Sequence, residues 1–109
     1  SSFGYHDLIV DMRGLVMMRA LGYPVVMDAT HSVQIPSQGG KSGGRPEFIQ
    51  PLACAAAAVG IDALFLEIHP DPANAKSDAG SQLSMELLEP LLTRVLAVDH
   101  AIRNTSTAF

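Results

Sequence analysis

Two apolar runs along the chain each end in polar side chains that can bind or react. Residues 24–27 (PVVM) lead into residues 28–31 (DATH), and residues 63–66 (ALFL) lead into residues 67–70 (EIHP). Short, continuous apolar runs are typical of parallel strands that are covered on both faces. Functional groups of α/β folds lie at the carboxyl ends of such strands. The pattern therefore predicts strands over 24–28 and 61–67, with a site where they end.

A segment before the first strand has helical character. Residues 11–21 place Leu15, Met18 and Leu21 at helical spacing on one face, and Gly22 suits the position just after a helix end. We therefore expect a helix over residues 11–21.

Two further helices follow the strands. Residues 46–59 begin with a proline and stop at Gly60, which are start and stop signals of a helix. For the last helix Ser84 is the expected N-cap. Pro90 lies early in this helix, where a proline destabilises the helix less than it would in the middle. The apolar stripe of this helix consists of Leu88, Leu91, Leu92, Val95, Leu96 and Ile102, and all of these except Ile102 are expected to pack on the strands around Val25 and Phe65. Residues 31–45 and 68–83 are expected to be loops.

The alternation of strands and helices predicts an α/β fold with one domain over residues 1–109 and no internal boundary. Two strands do not make a stable parallel sheet, and a closed (β/α)8 barrel needs about 250 residues. We therefore expect these 109 residues to form the C-terminal portion of a TIM barrel, namely its last two strands with their helices.

Composition and charge limit the possible binding partners and the cellular compartment. Hydrophobic residues make up 48% and charged residues 17% of the chain, which is typical of a folded domain. The net charge of −4 and the lack of a basic patch argue against nucleic acid. The apolar runs are shorter than the ~18 residues of a membrane span. Cys54 is the one cysteine; we interpret it as a small core residue, and we expect a reducing, cytoplasmic location.

Four segments, in order, resemble 3-deoxy-D-manno-octulosonate 8-phosphate synthase, a (β/α)8 enzyme family of lipopolysaccharide sugar synthesis. They are residues 2–12 (SFGY and LIVDM), 28–34 (DATHSVQ), 42–44 (SGG) and 67–78 (EIHPDP and AKSD). Each segment alone is a weak signal, but four at the right separations are a strong one. The resemblance covers essentially the whole chain.

The resemblance implies a transferase that condenses phosphoenolpyruvate with D-arabinose 5-phosphate and releases inorganic phosphate. The family forms tetramers, so a homotetramer is expected. Related phosphoenolpyruvate-condensing synthases of the shikimate and sialic acid pathways differ at DATHSVQ and remain alternatives. A further alternative is that the 109-residue piece, which is expected to be inactive alone, is a non-catalytic binding or assembly module.

The resemblance also implies a divalent metal site. In the metal-dependent class the ligands match His31, Glu67 and Asp78, together with a cysteine of the first barrel strand. This set suits Fe²⁺, Zn²⁺, Mn²⁺ or Co²⁺. Cys54 is not that cysteine, because it falls within a helix. In the metal-independent class an asparagine replaces the cysteine; the loop over residues 76–83 (KSDAGSQL) is typical of the metal-dependent class.

Catalytic roles are expected for His31 and Asp78, the latter as a group that takes a proton during water addition. Gln34, Lys41 and Ser42 are expected to bind substrate. They lie in a stretch with glycines at 39, 40, 43 and 44, which we interpret as a loop that closes over the substrates, with Lys41 and Arg45 near phosphate.

Each of these side chains also has a simpler structural interpretation. An isolated His31 is more often bonded to backbone than to metal, and Glu67 alone is an ordinary strand-end carboxylate. Asp78 is equally a turn former. Asp28 either supports the site residues through a hydrogen bond or accepts from N–H groups of the following loop. The register of His31, Glu67 and Asp78 favours the ligand interpretation.

Overall fold

The computed structural model describes residues 9–38, 41–44, 46–72 and 82–105, and for 34–38 and 41–44 it describes the backbone. The helices and strands, in chain order, are α1 (Met12–Arg19), β1 (Val26–Asp28), β2 (Gln34–Gln38), β3 (Lys41–Gly44), α2 (Ile49–Val59), β4 (Ala63–Phe65), β5 (Ile68–His69), β6 (Leu83–Ser84) and α3 (Leu88–Arg103).

Strands β1 and β4 form the expected parallel pair. Val26 pairs with Ala63 and Asp28 with Phe65, so both strands end at the same edge. Each strand is shorter than expected. At the amino edge the Asp62 carboxylate accepts from the Val25 N–H at 2.8 Å. This register brings the residues after Asp28 beside the residues after Phe65.

The expected loop over residues 31–45 is wrong. A 3₁₀ turn over His31–Val33 is followed by the antiparallel hairpin β2–β3, in which Gln34 pairs with Gly44 and Gln38 with Lys41. The sequence between the last paired residues is Gly-Gly, and a two-residue glycine connection is a hairpin signal. The same glycines that suggest a closing loop are therefore also compatible with a hairpin.

The expected loop over residues 68–83 also contains regular pairing. Strand β5 pairs in parallel with β6, Ile68 with Leu83 and His69 with Ser84. The Leu83 N–H donates to the Glu67 carbonyl at 2.9 Å. Strands of two residues are too short to show a periodicity, so the sequence pattern does not reveal them.

The first helix is confirmed, although it is shorter than expected. Asp11 caps it by accepting from the Arg13 N–H at 3.0 Å, and the helix ends at Arg19, before Leu21. Leu15 is buried, whereas Met18 and Leu21 are 52% and 73% exposed. Gly22 has φ +89° but lies in the turn after the helix rather than directly at its end.

The other helix boundaries are partly confirmed. A 3₁₀ turn begins at Pro46 and continues into α2, which ends at Gly60 with φ +107°. Helix α3 begins at Leu88, and Ser84 is instead the N-cap residue of the 3₁₀ turn Met85–Leu87 that leads into it; the Ser84 hydroxyl donates to Glu86 at 3.4 Å. Pro90 lies in the first turn of α3, as expected.

Helix α2 lies between two apolar clusters because its alanines bring neighbours close on two sides. The larger cluster consists of Ala29, Val33, Ile49, Ala53, Ala57, Leu83, Leu91 and Val95. The smaller consists of Leu15, Val25, Met27, Ala56 and Ile61. Ala53 and Ala57 therefore face α3, while Ala56 faces α1 and β1.

The stripe on α3 packs only in part as expected. Leu91 and Val95 are buried with α2, whereas Leu92 and Leu96 are 37% and 62% exposed. Val25 belongs to the other cluster, and Phe65 is 46% exposed. The expected packing on the strands is therefore confirmed only in part: Leu64 and Leu66, on either side of Phe65, pack against the cluster of Leu91 and Val95, whereas Val25 lies in the other cluster.

Among the residues that the structure describes, we find no helix with both the length and the apolar character needed to cross a bilayer.

Candidate functional site

The carboxyl ends of β1 and β4 bring His31 and Glu67 together. His31 lies in the 3₁₀ turn after β1, and Glu67 follows β4 by two residues. The Nε2 atom of His31 lies 3.5 Å from the Oε1 atom of Glu67. Each side chain is about one-third exposed. The pair is thus anchored in the fold yet accessible from one side.

Asp28 holds His31 from the opposite side of the ring. Its Oδ2 atom lies 2.6 Å from Nδ1 of His31. Its Oδ1 atom accepts from the backbone N–H groups of Thr30 and His31, at 3.1 and 2.9 Å. Both roles that the sequence left open for Asp28 therefore apply together: it contacts His31 and it accepts from the following backbone.

The charge on Asp28 sets the tautomer of His31. Partial burial raises the pKa of Asp28, but hydrogen bonds from the His31 backbone and ring and from the Thr30 hydroxyl outweigh it, so the pKa lies below its ordinary value. An ionised carboxylate only accepts, so Nδ1 of His31 carries a hydrogen. In the neutral ring, Nε2 then presents its lone pair on the side of Glu67.

Two residues for which the sequence predicts no role in the site also lie against this pair. Thr30 is fully buried, and its hydroxyl lies 3.0 Å from Oδ1 of Asp28 and 3.2 Å from the Glu67 backbone nitrogen. The Phe65 ring stacks beside His31, with ring centroids 6.2 Å apart and planes inclined by 25°. The sequence signal for Thr30 was its place between Asp28 and His31; Phe65 gave none beyond its place at a strand end.

The distance between Nε2 and Oε1 suits a shared cation. Two ligand atoms that lie about 2.0–2.2 Å from one ion at a tetrahedral angle are roughly 3.3–3.6 Å apart. The other occupant that suits this geometry is a proton on Nε2, which makes His31 an imidazolium between two carboxylates. The arrangement can therefore hold either a metal ion or a proton.

The third expected ligand, Asp78, lies outside the described residues. Within the parts of the chain that the structure describes, no group of three or more His, Cys, Asp or Glu side chains could hold a metal ion. The set His31, Glu67 and Asp78 thus stays a prediction. Cys54 lies in α2 and packs partly buried against the larger apolar cluster, as expected of a small core residue.

The expected substrate-binding residues lie on the hairpin that follows His31. Gln34 is the first residue of β2, directly after the 3₁₀ turn, and it pairs with Gly44. Ser42 and Lys41 belong to β3, with Lys41 paired to Gln38 at the other end of the hairpin. The backbone therefore places Gln34 nearer to His31 along the hairpin than Lys41. Arg45 lies outside the described residues.

Comparison with known proteins gives consistent relatives. The sequence model of the DAHP synthetase I family matches residues 1–103. A 2-dehydro-3-deoxyphosphooctonate aldolase from a Cyanothece species is 56% identical over 103 residues, which are 94% of this chain and 38% of that protein. Another from Legionella pneumophila is 52% identical over 109 residues, 99% of this chain and 40% of that protein. The chain thus spans about two-fifths of the length of these curated relatives.

A solved structure shows the same fold. A phospho-2-dehydro-3-deoxyheptonate aldolase (DAHP synthase) from Thermotoga maritima superposes with a TM-score of 0.70 at 29% identity, covering 85% of this chain and 25% of that one. With the parallel pair β1–β4 and its helices, this likeness confirms the α/β class and the C-terminal part of a (β/α)8 barrel.

Proposed function

The chain belongs to the DAHP synthetase I family, and we propose that the complete protein carrying it condenses phosphoenolpyruvate with D-arabinose 5-phosphate. The products are 3-deoxy-D-manno-octulosonate 8-phosphate and inorganic phosphate. The observation that carries this proposal is the group of relatives named 2-dehydro-3-deoxyphosphooctonate aldolase, which are 50–56% identical over 92% or more of this chain. Lipopolysaccharide sugar synthesis is the pathway that the activity implies.

The reaction forms one carbon–carbon bond and uses one water. The enol carbon of phosphoenolpyruvate bonds to the aldehyde carbon of the sugar, water adds to C2 of the former phosphoenolpyruvate, and the C–O bond to phosphate breaks. In our proposal His31 and Glu67 orient the aldehyde or the water at the open side of the site. Asp78 takes a proton during water addition.

The donor set is suited to a divalent ion such as Fe²⁺, Zn²⁺, Mn²⁺ or Co²⁺. We propose His31, Glu67 and Asp78 as its ligands, supported by the 3.5 Å separation of Nε2 and Oε1 and by the Asp28 carboxylate behind the imidazole, a common arrangement in metal sites. When bound, the ion supplies Lewis-acid polarisation of a substrate oxygen. In the metal-independent class the same residues position water and substrate by hydrogen bonds alone.

We also propose that the hairpin β2–β3 covers the bound substrates. Gln34, Lys41 and Ser42 are its proposed substrate-binding residues, supported by the place of the hairpin directly after His31. A homotetramer and a cytoplasmic location complete the proposal. The free thiol of Cys54 suits a reducing compartment.

The test is an assay of the complete protein with phosphoenolpyruvate and one acceptor at a time. Arabinose 5-phosphate should give phosphate release and the eight-carbon product, while erythrose 4-phosphate and N-acetylmannosamine should give neither. A preference for erythrose 4-phosphate would instead establish the second candidate, a 3-deoxyheptulosonate phosphate synthase. The likeness to the Thermotoga maritima DAHP synthase favours that candidate as the runner-up.

A further inference from the structure

Thr30 is the buried link between the two strand ends that carry His31 and Glu67. Its side chain is fully buried, and among the residues that the structure describes it is the one buried polar side chain. Buried hydroxyls normally find hydrogen-bond partners, and this one has two. They are Oδ1 of Asp28 at 3.0 Å and the backbone nitrogen of Glu67 at 3.2 Å.

The direction of both hydrogen bonds follows from the chemistry of the groups. The Glu67 N–H only donates, so the Thr30 oxygen accepts from it. The Thr30 oxygen already accepts from Glu67, and its single hydroxyl hydrogen is donated to Oδ1 of Asp28. The hydroxyl therefore completes a continuous chain from the Glu67 backbone through Thr30 and Asp28 to the ring of His31.

This chain of hydrogen bonds acts where the sheet has ended. The last paired residues of β1 and β4 are Asp28 and Phe65, and one more backbone bond joins Ala29 N–H to the Phe65 carbonyl at 3.2 Å. Glu67 lies beyond that bond. Its backbone N–H therefore donates to the side chain of Thr30, which follows β1, instead of to a backbone carbonyl.

We propose that Thr30 is a positioning residue whose hydroxyl sets the separation of His31 Nε2 and Glu67 Oε1. The inference rests on the proposed function, because that separation matters only if the two side chains act together. Removing the hydroxyl leaves Asp28 with one donor fewer and the Glu67 N–H without its acceptor. Both residues can then shift, and the site loses its preset geometry.

The variants for the test are Thr30→Val, which keeps the branched shape and removes the hydroxyl, and Thr30→Ser, which keeps the hydroxyl. Thr93→Val makes the same change on α3, where the Thr93 hydroxyl donates to the Glu89 carbonyl at 2.9 Å on an exposed face. Val95→Ala, in the larger apolar cluster, controls for lost stability alone. If Thr30→Val does not fold, Thr30→Ala replaces it as a smaller side chain without a hydroxyl.

The measurements on the complete protein are kcat, KM for both substrates, the dissociation constant of Co²⁺ and the imidazole ¹⁵N resonances of His31. Thr30→Val should lower kcat by about 10–100-fold, as loss of a supporting hydrogen bond does, with a smaller change in KM, weaker Co²⁺ binding and a shifted His31 signal. Thr30→Ser should recover most of each. Thr93→Val and Val95→Ala should keep the wild-type kcat.

Three results would overturn the inference: unchanged kcat in Thr30→Val, equal losses in Thr30→Ser and Thr30→Val, or an equal kcat loss in Val95→Ala. If the wild-type protein condenses phosphoenolpyruvate with none of the acceptors, the proposed function is wrong. The role of Thr30 is then tested by the His31 resonances alone. An unshifted His31 signal in Thr30→Val then rejects it. If the wild-type protein binds no Co²⁺, kcat and the His31 signal test the role of Thr30.

Discussion

The Oδ2 atom of Asp28 lies 2.6 Å from Nδ1 of His31, so that the ring is held from behind while Nε2 faces Glu67. A carboxylate in this position fixes both the tautomer and the orientation of an imidazole. The usefulness of His31 as a ligand or as a hydrogen-bond partner therefore depends on Asp28, which contacts the ring nitrogen that does not face Glu67.

Asp28→Asn tests this dependence. The amide keeps the shape but removes the charge that favours a hydrogen on Nδ1, so kcat of the complete protein should fall by about 10–100-fold. Asp62→Asn is the matched control, because Asp62 accepts from the Val25 N–H at 2.8 Å at the opposite edge of the same strand pair. It should keep kcat near wild type. Equal losses in the two variants would mean that strand-edge hydrogen bonding, not His31, is affected.

The metal prediction separates the two classes of the family. His31→Ala should abolish activity, and a chelator should remove activity that Fe²⁺, Zn²⁺, Mn²⁺ or Co²⁺ restores. Asp78→Ala should lower turnover more than metal content, because we propose both ligation and proton transfer for this residue. Metal content by elemental analysis and kcat by phosphate release are the measurements. Full activity of a metal-free enzyme would contradict metal dependence and assign the protein to the metal-independent class.

The hairpin β2–β3 should become protected when both substrates bind. It is a two-stranded element, and isolated hairpins are only marginally stable, so substrate contacts should contribute to its stability. Trypsin should cut after Lys41 in the free protein and markedly more slowly with both substrates at saturation, as read by mass spectrometry. Cleavage after Arg103, at the end of α3, should not respond. An unchanged rate at Lys41 would contradict a covering role.

Local signals in the sequence were sufficient for some features and not for others. Gly60 ends α2 as its conformational freedom predicts, and the two strand ends lie side by side. Met18 and Leu21 are exposed although they share the spacing of Leu15, because periodicity shows that a helix has an apolar face, not how much of that face a neighbour covers. The role of Thr30 rests on a hydrogen bond to Glu67, 37 residues away, and no local pattern encodes such a contact.

The side of α3 that faces the core can be tested with two adjacent leucines. Leu91 is 1% exposed and packs in the larger apolar cluster, whereas Leu92 is 37% exposed and borders a groove of about 190 Å³. Leu91→Ala should lower the free energy of unfolding by about 2–5 kcal/mol, because it leaves a cavity. Leu92→Ala makes the same change in helix propensity and should cost at most half as much. Urea unfolding of the complete protein measures both, and equal losses would show that Leu92 is buried there as deeply as Leu91.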